Sequence, residues 1–465
     1  MNAQEAGARV AEAQLAERLP PLSPLLPRLW SAAPGGPAAV LAALAASPAP
    51  PPAPRRPAEL RAEHADLLGL QAEDLAFRSL YPTLDHGLYT SSHSMGVPSL
   101  LGPAAVADTL QQVAAIGIGV WDEGYWSELM ARYEAACSEL VGGQDGDLVW
   151  YPNVSEALGA LLEALPGGRL VFSSGHFTTG HYVHHQWAQN TGGRLVEVSV
   201  DEDGALPPER LLAAVDAETT VVSISHALFE SGWLQDLPLL AAEVRRRAPD
   251  AMLLVDAYQT AGTVPIDATA LGDHVVVTAG AHKQLRGTCG AAFTYLPRRW
   301  SGLQARRAGW WGHAAPFSFE KGAIRRPDSG LRFRTGTPTV PMMAMLIGEL
   351  AALASGADGT ITGGVRRARE VTRGLVDVAL TVAAREGLGV RGAWGAEQRA
   401  AYVVLHVPEG ERLTRRLAEE GISVDFRPVR ANCRDGYIRV SGNAAGFGYE
   451  IEAVLTRLGA LLRQD

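Results

Sequence analysis

The chain has 465 residues, 47% of them hydrophobic and 20% charged, enough apolar material for a large core and a second, smaller domain. A net charge of -9 leaves no basic footprint for nucleic acid, and the run Arg245-Arg246-Arg247 reads as the solvated end of a helix. Three scattered cysteines, Cys137, Cys289 and Cys433, do not make a disulfide framework or a thiolate zinc site. That fits a reducing cytoplasm, and no run of about 20 apolar residues is present to span a membrane.

Residues 1–66 are Ala/Pro-rich, with a polyproline stretch over 48–57 that cannot sustain a helix, and read as an extension peripheral to the chemistry. Glu5, Arg9, Glu12 and Glu17 interrupt its apolar character, so it does not read as a signal peptide. Residues 67–104 form a segment expected to reach the active site. Over 105–341 a helical stretch around 111–141 gives way to short apolar runs at 148–151, 169–172, 194–200, 220–225, 252–255, 274–278 and 291–295, with helical segments such as 157–164 and 237–247 between them. This alternation predicts an α/β fold with a mainly parallel sheet covered by helices, the last run having little room for a crossover and so being antiparallel. Residues 342–465 predict a smaller α+β domain: a long helical region to about 386, a strand near 402–407, a helix near 411–420, strands near 422–425 and 437–440, and a last helix from 450. A ligand site is expected between this unit and the carboxyl ends of the large sheet's strands.

The segment Leu253-Leu254-Val255-Asp256-Ala257-Tyr258-Gln259 is followed, one strand later, by Gly280-Ala281-His282-Lys283. An acid at the end of a buried strand and a lysine at the end of the next place a carboxylate and an amine at one sheet edge. Pyridoxal 5'-phosphate (PLP) needs both: the lysine holds it as a Schiff base and shuttles protons, and the carboxylate keeps the pyridine nitrogen protonated. Taken singly, Asp256 reads as a loop cap and Lys283 as a surface cation.

The ordered set of motifs resembles the class V group of fold-type-I PLP-dependent enzymes, kynureninases above all, with features shared by cysteine desulfurases, from about residue 75 to the C-terminus. Ser223-Ile224-Ser225-His226-Ala227-Leu228 resembles the strand that ends near the cofactor, which makes His226 a cofactor neighbour. Asp256 through Gln259 resembles the Asp-x-x-His or Asp-x-x-Gln element whose fourth residue touches the ring hydroxyl. Gly280-Ala281-His282-Lys283 resembles the Schiff-base motif, with His282 beside the cofactor. Pro152-Asn153-Val154-Ser155-Glu156 follows a strand and opens a helix, a geometry that aims backbone N–H groups at a phosphate. Within the resemblance Val154 and Ser155 become the phosphate grip; without it, Ser155 reads as a helix N-cap. Phe177 corresponds to the aromatic that stacks on the ring, with His176 as its rival. The resemblance places Trp310 and Thr337 against the cofactor across a homodimer interface, Thr337 as phosphate donor; paired tryptophans such as Trp310-Trp311 otherwise read as core or interface packing. Arg439, in the apolar strand Tyr437-Ile438-Arg439-Val440-Ser441, corresponds to the planar fork that grips a substrate α-carboxylate. Arg427 reads as structural. His93, in Ser91-Ser92-His93-Ser94-Met95-Gly96, is a substrate contact or part of a plain turn.

The resemblance implies an enzyme that acts on a free α-amino acid through an external aldimine, with Lys283 removing the Cα proton. Its first expected activity is that of a kynureninase-like lyase or hydrolase cleaving a side-chain bond of a non-standard amino acid. A cysteine desulfurase or carbon–sulfur lyase comes second, an aminotransferase or epimerase third, and a non-catalytic binding module of the same fold is the remaining class. His282 stands where kynureninases carry Tyr, Gln259 where they carry His, and the acid of their Phe-Pro-x-Asp element is missing from Phe177-Thr178-Thr179-Gly180. These departures point away from kynurenine itself as substrate. Cys433 lies only six residues before Arg439, too close for a mobile persulfide-bearing cysteine. The cluster His176, His181, His184 and His185 lacks the carboxylate spacing of a zinc site, so no metal is expected.

Overall fold

The computed structural model describes residues 72–392, 394–428 and 433–464, so the expected extension over 1–66 lies outside the described residues. Helix α1 (Ala72–Arg78) and the short strand β1 (Leu88–Tyr89) open the described chain. The helical stretch expected around 111–141 is instead three helices, α2 (Leu101–Ile116), α3 (Gly119–Asp122) and α4 (Tyr125–Leu140). The breaks fall at Gly117 (φ 53°) and Gly124 (φ 79°), where the chain takes positive φ that a Cβ would disfavour.

Strands and helices then alternate: β2 (Gly146–Tyr151), α5 (Val154–Ala164), β3 (Arg169–Ser173), α6 (Thr178–Thr191), β4 (Arg194–Val198), α7 (Pro208–Leu212), β5 (Thr219–Ser225), α8 (Leu237–Arg247), β6 (Met252–Asp256), α9 (Ala268–Leu271), β7 (Val275–Gly280) and β8 (Ala292–Pro297). They build one seven-stranded sheet in the order β2-β8-β7-β6-β5-β3-β4. Neighbours from β4 through β7 pair in parallel, whereas β8 is antiparallel to both β2 and β7. The connection 281–291 is too short for a helical crossover, which forces β8 to return antiparallel. Alternate residues feed opposite faces: Leu253, Val255, Val275 and Val277 enter one core, Met252, Leu254 and Val276 the other. Both faces are therefore covered, as a parallel sheet requires.

The chain continues through α10 (Val340–Ser355), α11 (Ile361–Glu386), β9 (Gly389–Val390), β10 (Tyr402–Val407), α12 (Gly410–Glu419), β11 (Ile422–Ser423), β12 (Asp425–Pro428), β13 (Gly436–Ser441) and α13 (Gly448–Leu462). Strands β12-β13-β10-β9 form a four-stranded antiparallel sheet, and β11 pairs in parallel with β1. Helix α10 is apolar on most of its surface and packs against α2, α4 and α11. Ile361, Val365 and Ala368 of α11 join it in the large core, while Leu375, Val376, Ala379 and Val382 pack with Val403, Leu405, Ile438 and Leu455 of the smaller unit. The two cores therefore divide within α11 rather than at 341/342. Residues 77–101 clasp both units, Phe77, Leu80 and Tyr81 packing with Ala352 and Ala445. Among the described residues no helix is long and apolar enough to cross a membrane.

Candidate active site

Strands β2, β3, β5, β6 and β7 point the same way, and a cavity of about 220 Å³ opens at their carboxyl ends. Its lining includes Asp256 from the end of β6, Ser225 from the end of β5, Phe177 from the turn after β3, and His282 and Lys283 just beyond β7. Val154, Ser155 and Gln259, three further residues expected from sequence, line the same space. A crevice at the carboxyl edge of an open α/β sheet is where such folds bind ligands.

Lys283 is half-buried overall, but its amine lies deep in the protein. Burial lowers its pKa from 10.5 to about 8; the Asp256 charge opposes this, and Arg439 and Arg427 add to it. Asp256 is moved the other way by burial, upward from the usual carboxylate range, against the Tyr258 N–H (2.9 Å to Oδ1) and Lys283. The Lys283 ammonium sits 4.5 Å from the ring centroid of Tyr258 and 5.6 Å from that of Phe177. With its amide turned so that both ends are satisfied, Gln259 accepts from Lys283 Nζ and donates to the His93 carbonyl, each at 3.1 Å.

The N-cap of α5 is Asn153, not Ser155: Asn153 is extended, and its Oδ1 accepts from the Glu156 N–H at 2.9 Å. Ser155 thereby keeps its hydroxyl for the cavity, where it lies 3.2 Å from the hydroxyl of Thr179 in the first turn of α6. Hydroxyls from two helix N-termini thus meet at one end of the cavity, beside first-turn N–H groups that have no intrahelical acceptor. Asn153 and Thr179 were not singled out from sequence. The Asn153 and Glu156 pair is a legible capping signature, whereas Thr179 faces Ser155 only because α5 and α6 pack together.

Phe177 lines the cavity and is 46% exposed, whereas its rival His176 is buried with both ring nitrogens engaged, by the Ser223 carbonyl (2.9 Å) and the Ser225 hydroxyl (3.0 Å). His184 meets the Ser223 hydroxyl at 2.9 Å and His181 the Ser174 carbonyl at 3.2 Å, so this histidine cluster serves the sheet edge. His226 does not line the cavity. It is buried behind Asp256, its Nδ1 2.8 Å from the Thr260 hydroxyl and its N–H donating to the Asp256 carbonyl, and burial lowers its pKa to about 3. His282 does line the cavity and meets the hydroxyl of Tyr258, a cavity residue missed from sequence, at 2.5 Å. Burial and the Lys283 charge lower the His282 pKa to about 4, which keeps the imidazole neutral. Trp310 and Thr337 are absent from this chain's cavity and hydrogen-bonded to each other at 3.1 Å. They lie in an aromatic patch that includes Phe317 (52% exposed) and Phe319 (71% exposed).

Arg439 is buried on β13 directly opposite Asp425 on β12. Its Nε (3.1 Å) and Nη2 donate to Asp425 Oδ2, and its Nη1 donates to the carbonyl of the cavity residue Phe229 at 3.1 Å. His93 is wholly buried, outside the cavity lining. It sits between Asp425 Oδ2 (3.2 Å) and the Ser441 hydroxyl (2.9 Å), and burial followed by the Arg439 charge lowers its pKa to about 3. Arg427 is half exposed, with Nη1 3.3 Å from Asp425 Oδ1.

The donor set fits PLP: a buried amine of lowered basicity, a buried carboxylate, an aromatic face, and an anion-seeking pair of helix N-termini within one cavity. The Aminotransferase class-V family matches residues 123–423 of the chain. Kynureninase of Burkholderia pseudomallei (strain 1106a) is 29% identical over 363 residues, covering 74% of this chain and 82% of that protein. Two solved structures superpose over most of the fold. A C-DES mutant with glycine covalently linked to its PLP cofactor gives a TM-score of 0.71 at 19% identity, over 82% of this chain and 98% of that one. The apo cysteine desulfurase of Thermococcus onnurineus NA1 gives 0.69 at 15% identity, over 84% and 98%. With a family match over more than half its length and a cavity furnished for the cofactor, this chain belongs to the class-V aminotransferase family and is a PLP-dependent enzyme of the fold-type-I architecture.

Proposed function

We propose that the protein cleaves a side-chain bond of a free, non-standard α-amino acid, as a kynureninase-like lyase or hydrolase. The observation that carries this reading is the buried Arg439, a planar cation beside the cavity wall at Phe229 and close enough for its charge to bear on Lys283. The kynureninase relative supports it. When bound, PLP supplies the electron sink that lets bonds at Cα and Cβ break. Lys283, with a pKa of about 8, is partly neutral near pH 7.5 and takes the Cα proton, returning it later in the cycle. Asp256 holds a proton at the ring nitrogen, Gln259 meets the ring hydroxyl, and Phe177 confines the ring. Val154, Ser155 and Thr179 receive the phosphate at the two helix ends, and Arg439 fixes the substrate through its carboxylate.

The exposed aromatic patch around Trp310, Phe317 and Phe319 supports a homodimer in which Trp310 and Thr337 reach the partner subunit's site, and the unpaired Cys137, Cys289 and Cys433 suit a cytoplasmic enzyme. Sulfur chemistry is the second reading. It is favoured by Cys289, an exposed thiol 3.8 Å from Nδ1 of the cavity residue His282. The deciding experiment incubates holoenzyme with a panel of β-substituted amino acids, kynurenine and cysteine included, and identifies products by mass spectrometry. A cleaved side chain is expected. Amino-group transfer alone would overturn the lyase reading, and alanine with enzyme-bound persulfide from cysteine would install the second.

A further inference from the structure

Arg439 has five N–H donors in a fixed plane. Two converge on a single carboxylate oxygen, Asp425 Oδ2, and a third reaches the Phe229 carbonyl at 3.1 Å. That leaves one N–H on each terminal nitrogen without a partner among the described residues, and the outer edge of the fork, between Nη1 and Nη2, is the edge that Asp425 does not occupy. A carboxylate can accept that outer pair in a bidentate contact. The side edge of the guanidinium, the other bidentate face, is taken by Asp425.

Asp425 is itself held from behind. Its Oδ2 takes a third donor, His93 Nε2, at 3.2 Å, and His93 Nδ1 faces the Ser441 hydroxyl at 2.9 Å. His93 is wholly buried and stays neutral, which sets its tautomer: Nε2–H donates to Asp425 and Nδ1 accepts from Ser441. Ser441 lies two residues beyond Arg439 on β13, on the same face of the strand, and the His93 N–H also donates to its hydroxyl at 3.1 Å. Burial opposes the Asp425 charge, but the His93 hydrogen bond and Arg439 outweigh it and hold this carboxylate well below its usual range. The relay Ser441–His93–Asp425–Arg439 therefore ends on a cation whose plane is fixed before any ligand arrives.

We propose that Asp425, locked by His93 and Ser441, is a positioning residue that presents the outer edge of Arg439 to the substrate α-carboxylate. The inference rests on the reading of Arg439 as the carboxylate grip, and it makes His93 a support for that grip rather than a substrate contact. It is tested with glycine and methylamine, which share an amine and differ in the carboxylate, each titrated into holoenzyme and followed by the cofactor's absorbance. In Asp425→Asn, glycine is expected to weaken on the order of 10–100-fold, as for loss of a charge-assisted hydrogen bond, while methylamine stays within about two-fold. Asp425→Glu should recover part of the loss. In an Arg439→Ala background, Asp425→Asn should cost glycine nothing further.

Tighter glycine binding in Asp425→Asn would make Asp425 a competitor of the substrate. Equal losses for both amines, or a loss that persists without Arg439, would make its role structural. Either result overturns the proposal. If Arg439→Ala leaves the preference for glycine over methylamine intact, the carboxylate reading fails and takes this inference with it, a pattern distinct from the other two. Should Asp425→Asn not yield folded holoenzyme, Ser441→Ala carries the same test by releasing His93: a few-fold loss for glycine and none for methylamine is expected, and equal losses refute the relay.

Discussion

Lys283 Nζ donates to the amide oxygen of Gln259 at 3.1 Å, and the other end of the same amide donates to the His93 carbonyl at 3.1 Å. One planar group thus ties the lysine beyond β7 to the N-terminal segment whose histidine supports Asp425. The amide oxygen favours the charged amine. Replacing it with an apolar group of similar size leaves burial unopposed at that point, and Gln259→Leu should lower the Lys283 pKa by about one unit. Rates of PLP capture by apo-enzyme, measured against pH, should shift accordingly toward acid. An unshifted profile would show that the contact does not bear on the amine.

In the wild-type apo-enzyme, PLP capture should rise as pH is raised through about 8, because only the neutral amine attacks an aldehyde and burial has moved Lys283 down from 10.5. The same shift has a stability sign. Between about 8 and 10.5 the unfolded chain holds a proton on this lysine that the folded protein has lost, so the Lys283 contribution to apo-protein stability rises with pH across that window and is flat below it. Denaturant titrations of wild type and Lys283→Met at several pH values isolate it: their stability difference should depend on pH above 8 and not below.

Asp256 was legible from sequence together with Lys283 because the first ends a buried apolar strand and the second follows the end of the next by three residues, and such runs leave little doubt about where a strand stops. Arg439 stood out for a similar reason, as a charge within an apolar strand. What stayed hidden depended on register or packing. Asp425 meets Arg439 because β12 and β13 pair those two positions, and Tyr258 meets His282 because β6 and β7 lie side by side. The sequence reading put the N-cap at Ser155, and backbone conformation puts it two positions earlier, at the extended Asn153. The three-way division of the stretch from Leu101 to Leu140 was marked by Gly117 and Gly124, but glycine in a helical pattern is ambiguous until φ is known.

Asn153 carries a consequence for both stability and cofactor. Asn153→Ala removes the oxygen that accepts the Glu156 N–H and should cost about 1 kcal/mol in unfolding free energy. Because the first turn of α5 lines the cavity where we propose that the phosphate binds, its fraying should also weaken PLP retention during dialysis. Asn153→Asp should restore the cap yet place a like charge beside the phosphate. Expected is a variant with wild-type stability that loses cofactor faster. Wild-type retention in both variants would separate the cap from the phosphate site.

Gly96 offers the sharpest steric prediction. Its N–H donates to the His282 carbonyl at 2.7 Å, bringing the N-terminal segment against the lysine loop. A Cβ added there would lie 2.1 Å from the Lys283 carbonyl oxygen and 2.7 Å from Arg286 Cα, and backbone atoms cannot swing aside as a flexible side chain can. Arg286 is already at φ 61°, a left-handed conformation that costs a residue with a Cβ roughly 1–2 kcal/mol, so this loop has little tolerance for being pushed further. Gly96→Ala should destabilise the protein by about 1–3 kcal/mol or displace Lys283. In the second case the variant melts near the wild-type temperature but captures PLP slowly, and its pH profile for capture drifts toward that of an ordinary lysine as the amine gains water. Gly96→Ala with unaltered Tm, PLP content and pH profile would mean that residues 91–96 can retreat from the lysine loop. The hydrogen-bond path from Lys283 through Gln259 to His93 would then not be the fixed link that these contacts describe.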